Sequence, residues 1–92
     1  MTSRAVTVTN ALGLHARAAA RFVHLATQFA SHVRVARDGK VMDGKSIMGI
    51  LLLAAARGTT LMISADGPDE GDAVGALARL VESGFGEDTC ST

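Results

Sequence analysis

The sequence predicts an α+β domain: one four-stranded antiparallel sheet with three helices on one face, in the order βαββαβα. Three observations carry this. Short segments alternate apolar and polar residues, the period of a half-buried strand. Between them lie longer stretches with apolar residues three and four apart, the period of a helix packed on one side. An Asp38-Gly39 pair separates two of the short segments, and such a pair is a strong hairpin signal.

The elements follow in order. Residues 5–9, Ala-Val-Thr-Val-Thr, form the first strand. Asn10 to Leu14 is a loop in which Gly13 permits a tight turn. From Ala16 to Ala30 the residues Ala19, Phe22, Val23, Ala26 and Phe29 make one apolar stripe, and the alanines add helix propensity. Residues 32–37 and 40–43 are the two arms of the hairpin. Asp43-Gly44-Lys45 is a loop, and Ser46 is the expected N-cap of a short helix from Ile47 to about Ala56, with Gly58 at its C-terminal cap. Thr60 to Ala65 alternates again, placing Leu61, Ile63 and Ala65 on one face. Asp66-Gly67-Pro68-Asp69 carries a helix-start signature. The last helix spans about Glu70 to Ser83, with Val74, Leu77 and Val81 as its buried stripe. Gly71 and Gly75 weaken it, each by about 1 kcal/mol relative to alanine, and are expected to allow close packing on the sheet. Residues 1–86 are expected to form a single domain, and 87–92 a flexible polar tail.

Composition narrows the function. Ninety-two residues with 48% hydrophobic content support one core. Nine acidic and nine basic side chains cancel, and three Phe with no Trp or Tyr offer few stacking platforms, so a nucleic-acid surface is not expected. The single cysteine, Cys90, has no partner for an internal disulfide and fits a reducing, cytoplasmic setting. The N-terminus has no apolar signal core, and the run Ile47 to Ala56 is too short to span a bilayer, so no membrane insertion is expected.

The most informative stretch is Gly13-Leu-His15-Ala-Arg17, where a histidine follows a glycine turn and stands at the start of an alanine-rich helix. A helix start is an anion site, because its first N–H groups lack intrahelical partners. A neutral imidazole there can attack phosphorus, and the free N–H groups of the helix start with Arg17 can hold the phosphoryl oxygens. The plain alternative is a polar residue at a loop–helix junction, and for Arg17 a solvated side chain, although a cation is out of place at a helix N-terminus. Other chemistries find less support. His15, His24 and His32 are nine and eight residues apart, without the close spacing of zinc ligands, so no metal is expected. The chain has no Gly-x-Ser-x-Gly elbow for a hydrolase and no phosphate loop ending in lysine and a hydroxyl for a nucleotide, and no cofactor is expected.

Together, Gly13-Leu-His15-Ala-Arg17 and Gly44-Lys-Ser46-Ile-Met-Gly49 closely resemble the HPr family, the histidine-containing phosphocarriers of the bacterial phosphoenolpyruvate-dependent phosphotransferase system. The resemblance runs from about residue 4 to 86. It implies an open-faced β-sandwich and a monomeric carrier that is not itself an enzyme. It implies that His15 is phosphorylated at Nδ1 by enzyme I and passes the group to a histidine of an enzyme IIA component, with Arg17 and the backbone N–H groups of Ala16 and Arg17 assisting. It further implies phosphorylation of Ser46, in some lineages, by a dedicated HPr kinase/phosphorylase. A phosphate there would sit well on a helix start while charging an apolar face. That face is expected from Ile47, Met48 and Leu51, joined by Ala16, Ala20 and His24 on the first helix, as the docking patch for partners. Ala18 stands where the family usually has proline.

Two further readings stay open. Gly67-Pro-Asp-Glu70 and Phe85-Gly-Glu87 look somewhat like nitrogen-branch relatives, which signal through phosphorylation state instead of serving sugar uptake. A small-ligand-binding α+β domain with an incidental histidine is the third.

Overall fold

The computed structural model describes residues 1–86; the expected tail, 87–92, lies outside the described residues. The elements run β1 (Thr2–Thr7), α1 (Ala16–Ala26), β2 (His32–Arg37), β3 (Lys40–Asp43), α2 (Ile47–Leu52), β4 (Thr60–Asp66) and α3 (Glu70–Glu82), followed by a tight turn over Gly84–Gly86. The strands form one antiparallel sheet in the order β1-β4-β2-β3. One sheet face is open and the other carries the helices, as the alternation predicts.

The core lies between them. Val6, Val33, Val35, Leu61, Ile63 and Ala65 point inward from the sheet and are buried. They meet Ala18, Ala19, Phe22, Val23 and Ala26 of α1, Ile50 of α2, and Ala73, Val74, Leu77, Ala78 and Val81 of α3. The hairpin turn has both central residues at positive φ, 49° for Asp38 and 85° for Gly39, as its sequence requires.

Several boundaries differ from the sequence reading, each for a local reason. β1 begins at Thr2 because pairing to β4 extends to Thr2–Ala65. Val8 remains buried and bonds to Thr59, but leaves the regular ladder. α1 ends at Ala26, four residues early. There the Thr27 hydroxyl turns back onto the His24 carbonyl, 2.8 Å away. α2 stops at Leu52, because Ala54 takes a left-handed φ of 50°. Gly58 therefore does not cap α2. It sits at φ 90° in the next turn, its N–H donating to Val8. Asp69 stands at the N-cap of α3 without capping it. Its carboxylate accepts instead from the N–H groups of Ala30 and Ser31 and from the Ser31 hydroxyl. Gly71 and Gly75 do not serve close packing: a Cβ on Gly71 meets nothing, and one on Gly75 meets only the end of Arg79.

Candidate functional site

The site is built on the loop from Asn10 to His15. Asn10 is buried, and its side-chain amide donates to the Gly13 carbonyl at 2.7 Å. The Gly13 N–H returns to the Asn10 carbonyl at 3.1 Å, closing a turn. Gly13 has φ 64° and packs so closely on Ala55 and Ala56 that a Cβ would overlap the Ala55 carbonyl. The next N–H, of Leu14, donates to that carbonyl at 2.9 Å. Glycine is thus required twice at position 13, for conformation and for approach.

His15 is the N-cap of α1. Its backbone is extended (φ −76°, ψ 178°), and its Nδ1 accepts from the Arg17 N–H at 3.2 Å. In that bond Nδ1 is the acceptor, so in a neutral ring the proton resides on Nε2 and Nδ1 holds the nucleophilic lone pair. An N–H aimed at Nδ1 is also placed for the oxygen of a group bound there. The ring is half-buried, whereas Ala16 and Arg17 are exposed. Among the described residues no carboxylate pairs with the Arg17 guanidinium.

Ser46 caps α2 as expected, its hydroxyl accepting from the Gly49 N–H at 3.0 Å. The expected docking residues Ala20, His24, Ile47 and Met48 are exposed, Met48 by 67%. Leu51 is half-buried against the core. α1 and α2 pack against one another, so their exposed residues border a shared surface.

Sequence reasoning missed four contributors. Asn10 and Ala55 hold the histidine loop, and no local pattern announces a carbonyl as a wall. Arg37 fixes the same region, its Nη1 donating to the carbonyls of Leu53 and Ala54 at 2.6 and 3.0 Å. Leu12, 73% exposed at the tip of the turn before His15, is the fourth. An exposed leucine where turns favour polar residues was a readable signal.

Comparison with known proteins decides the family. The model described as "PTS HPr component phosphorylation site" matches residues 2–83. The chain belongs to the HPr family. Its relatives include the phosphocarrier protein HPr of Cupriavidus necator, 48% identical over 95% of this chain and 98% of that one. The HPr of Neisseria meningitidis is 45% identical over the same shares. Among solved structures, HPr-C-His from Thermoanaerobacter tengcongensis superposes with a TM-score of 0.92 at 44% identity, covering 96% of this chain and 99% of that one. An HPr dimer from the same organism has also been solved, with a TM-score of 0.76. The open-faced fold is thus that of HPr structures, and the chain is a phosphocarrier of the phosphotransferase system. Among the described residues, no helix is long and apolar enough to cross a membrane.

Proposed function

We propose that His15 accepts a phosphoryl group at Nδ1 from the phosphohistidine of enzyme I and passes it to a histidine of an enzyme IIA component. The carrying observation is the His15 Nδ1 that accepts from the Arg17 N–H at the start of α1. In each transfer the donor's N–P bond breaks as the new N–P bond forms, and no proton need leave Nδ1, which already carries the lone pair. The phosphoryl oxygens gain the Arg17 N–H, the Ala16 N–H and the exposed guanidinium as partners. The chain offers half a reaction centre, and the partner supplies the other half. Ile47, Met48 and Leu51 with Ala16, Ala20 and His24 seat the partner, and Ser46 is a regulatory phosphorylation site beside that seat.

Intact-mass measurement tests this directly. Phosphoenolpyruvate and enzyme I should add one phosphoryl group that is lost in acid and absent in His15→Ala. No adduct with a competent enzyme I sinks the proposal and favours a small-ligand domain.

A further inference from the structure

α2 is only six residues long, and a helix that short leaves most of its carbonyls without an intrahelical partner. Arg37 reaches the end of α2 from the last position of β2. Its Nη1 donates to the carbonyls of Leu53 and Ala54 at 2.6 and 3.0 Å, and its Nε lies 3.5 Å from the Asp38 carboxylate at the hairpin turn. A cation is well placed at a helix C-terminus. The two carbonyls belong to successive rigid planes, the Leu53–Ala54 and Ala54–Ala55 peptides. Holding both planes holds the backbone of Ala54 between them. That residue is left-handed, at φ 50°, a conformation alanine disfavours.

Only the two torsions of Ala55 then remain to aim the Ala55 carbonyl. This is the carbonyl that accepts from the Leu14 N–H at 2.9 Å and on which Gly13 packs. His15 is the next residue. Val8 ties the same segment further on, its carbonyl accepting from the Gly58 N–H at 2.8 Å and its N–H donating to Thr59 at 2.9 Å. The Val8 tie lies three residues past Ala55, whereas the Arg37 tie is on the adjoining peptide.

We propose that Arg37 is a positioning residue for phosphoryl transfer at His15. It acts through the backbone and not on the reacting atoms. Arg37 holds the Ala54 turn, and the turn aims the Ala55 carbonyl. The carbonyl holds Leu14, and with it the start of α1, where Nδ1 accepts from the Arg17 N–H. A guanidinium suits the task, because it offers several donors in a fixed plane and keeps its charge at every working pH. When the path is loosened, the His15 ring spreads over orientations of which fewer meet the donor phosphorus in line. The backbone path is independent of the transfer reading; its effect on rate rests on that reading.

Arg37→Met keeps much of the apolar stem and removes the donors. Amide hydrogen exchange in the free protein reads the path. Leu14 should exchange about tenfold faster than in wild type, a larger rise than at Ile63 in the inner strand β4. Adding Ala54→Gly should recover about half of that change or more, because glycine takes the left-handed turn unaided. A rise at Leu14 no larger than at Ile63 overturns the path, and so does a double variant without recovery. With enzyme I, Arg37→Met should lower kcat about tenfold and leave KM within about twofold, again with recovery by Ala54→Gly. An unchanged kcat, or a change confined to KM, overturns the positioning role. Should Arg37→Met not fold, Arg37→Lys keeps the charge and is read by the same criteria, with effects of about threefold. If wild type is not phosphorylated at all, the transfer reading has failed, and the exchange rates still decide the path.

Discussion

The Leu14 N–H donates to the Ala55 carbonyl across 2.9 Å, so the loop that presents His15 hangs on the segment just after α2. Gly13 presses on the same carbonyl. Gly13→Ala meets two costs at once, a left-handed residue with a Cβ and an overlap with backbone that cannot move aside. Together they should destabilise the fold by about 2–4 kcal/mol. Urea unfolding followed by circular dichroism measures this. A loss under about 0.5 kcal/mol would show that the loop is not held against Ala55.

If the proposed transfer at His15 holds, the exposed apolar residues Leu12 and Met48 should matter for encounters and little for stability. Leu12 at 73% and Met48 at 67% exposure bury almost nothing in the free protein. Leu12→Ser and Met48→Ser should leave the unfolding free energy within about 0.5 kcal/mol of wild type. Each should raise the KM of enzyme I for the carrier about tenfold while kcat stays near its original value. Equal KM values for wild type and both variants would remove the docking role from these side chains.

At Ser46, structural and regulatory roles separate by the substituent. Ser46→Ala loses the acceptor for the Gly49 N–H and should cost about 1 kcal/mol, with transfer to His15 intact. Ser46→Asp keeps an acceptor at the N-cap but places negative charge beside Ile47 and Met48. It should keep its stability and slow phosphorylation by enzyme I severalfold. Equal transfer rates in the two variants would leave Ser46 with capping alone.

Much of this architecture was legible because its signals are local. The 2.0 and 3.6 periods marked β1, β4, α1 and α3, while Asp38-Gly39 announced the hairpin of β2 and β3 and Ser46 the start of α2. The geometry at His15 was legible for the same reason, since the imidazole and the N–H that donates to it are two residues apart. What the sequence hid depends on contacts between distant segments. Ala54 ends α2 in a left-handed conformation while Arg37, seventeen residues away, binds its carbonyl. Propensity alone would have carried that helix through the alanines to residue 56. Asp69 shows the same limit: it stands where a cap belongs, yet serves Ala30 and Ser31 across 38 residues or more.

Acid should loosen the end of the molecule where α3 begins. Glu70 accepts from the Thr2 hydroxyl at 2.6 Å, pairs with the Met1 amine at 3.0 Å and accepts from the Gly67 N–H. The Thr2 bond first, and then the amine, lower its pKa from 4.5 to about 2. Asp69 is likewise held below its ordinary value, chiefly by the Ser31 hydroxyl and then by the Ala30 N–H. A depressed carboxylate stabilises the fold fully above its unfolded pKa, and that contribution disappears as pH falls through the folded value. Thermal midpoints should therefore be flat above pH 5 as far as these groups are concerned, and fall between about pH 4.5 and 2. Glu70→Gln removes one of the two titrating groups. Its midpoint should be lower than wild type at pH 6, and the gap should close as pH approaches 2. A gap that stays constant across that interval would show that the Glu70 contacts with Thr2 and Met1 carry no net proton linkage.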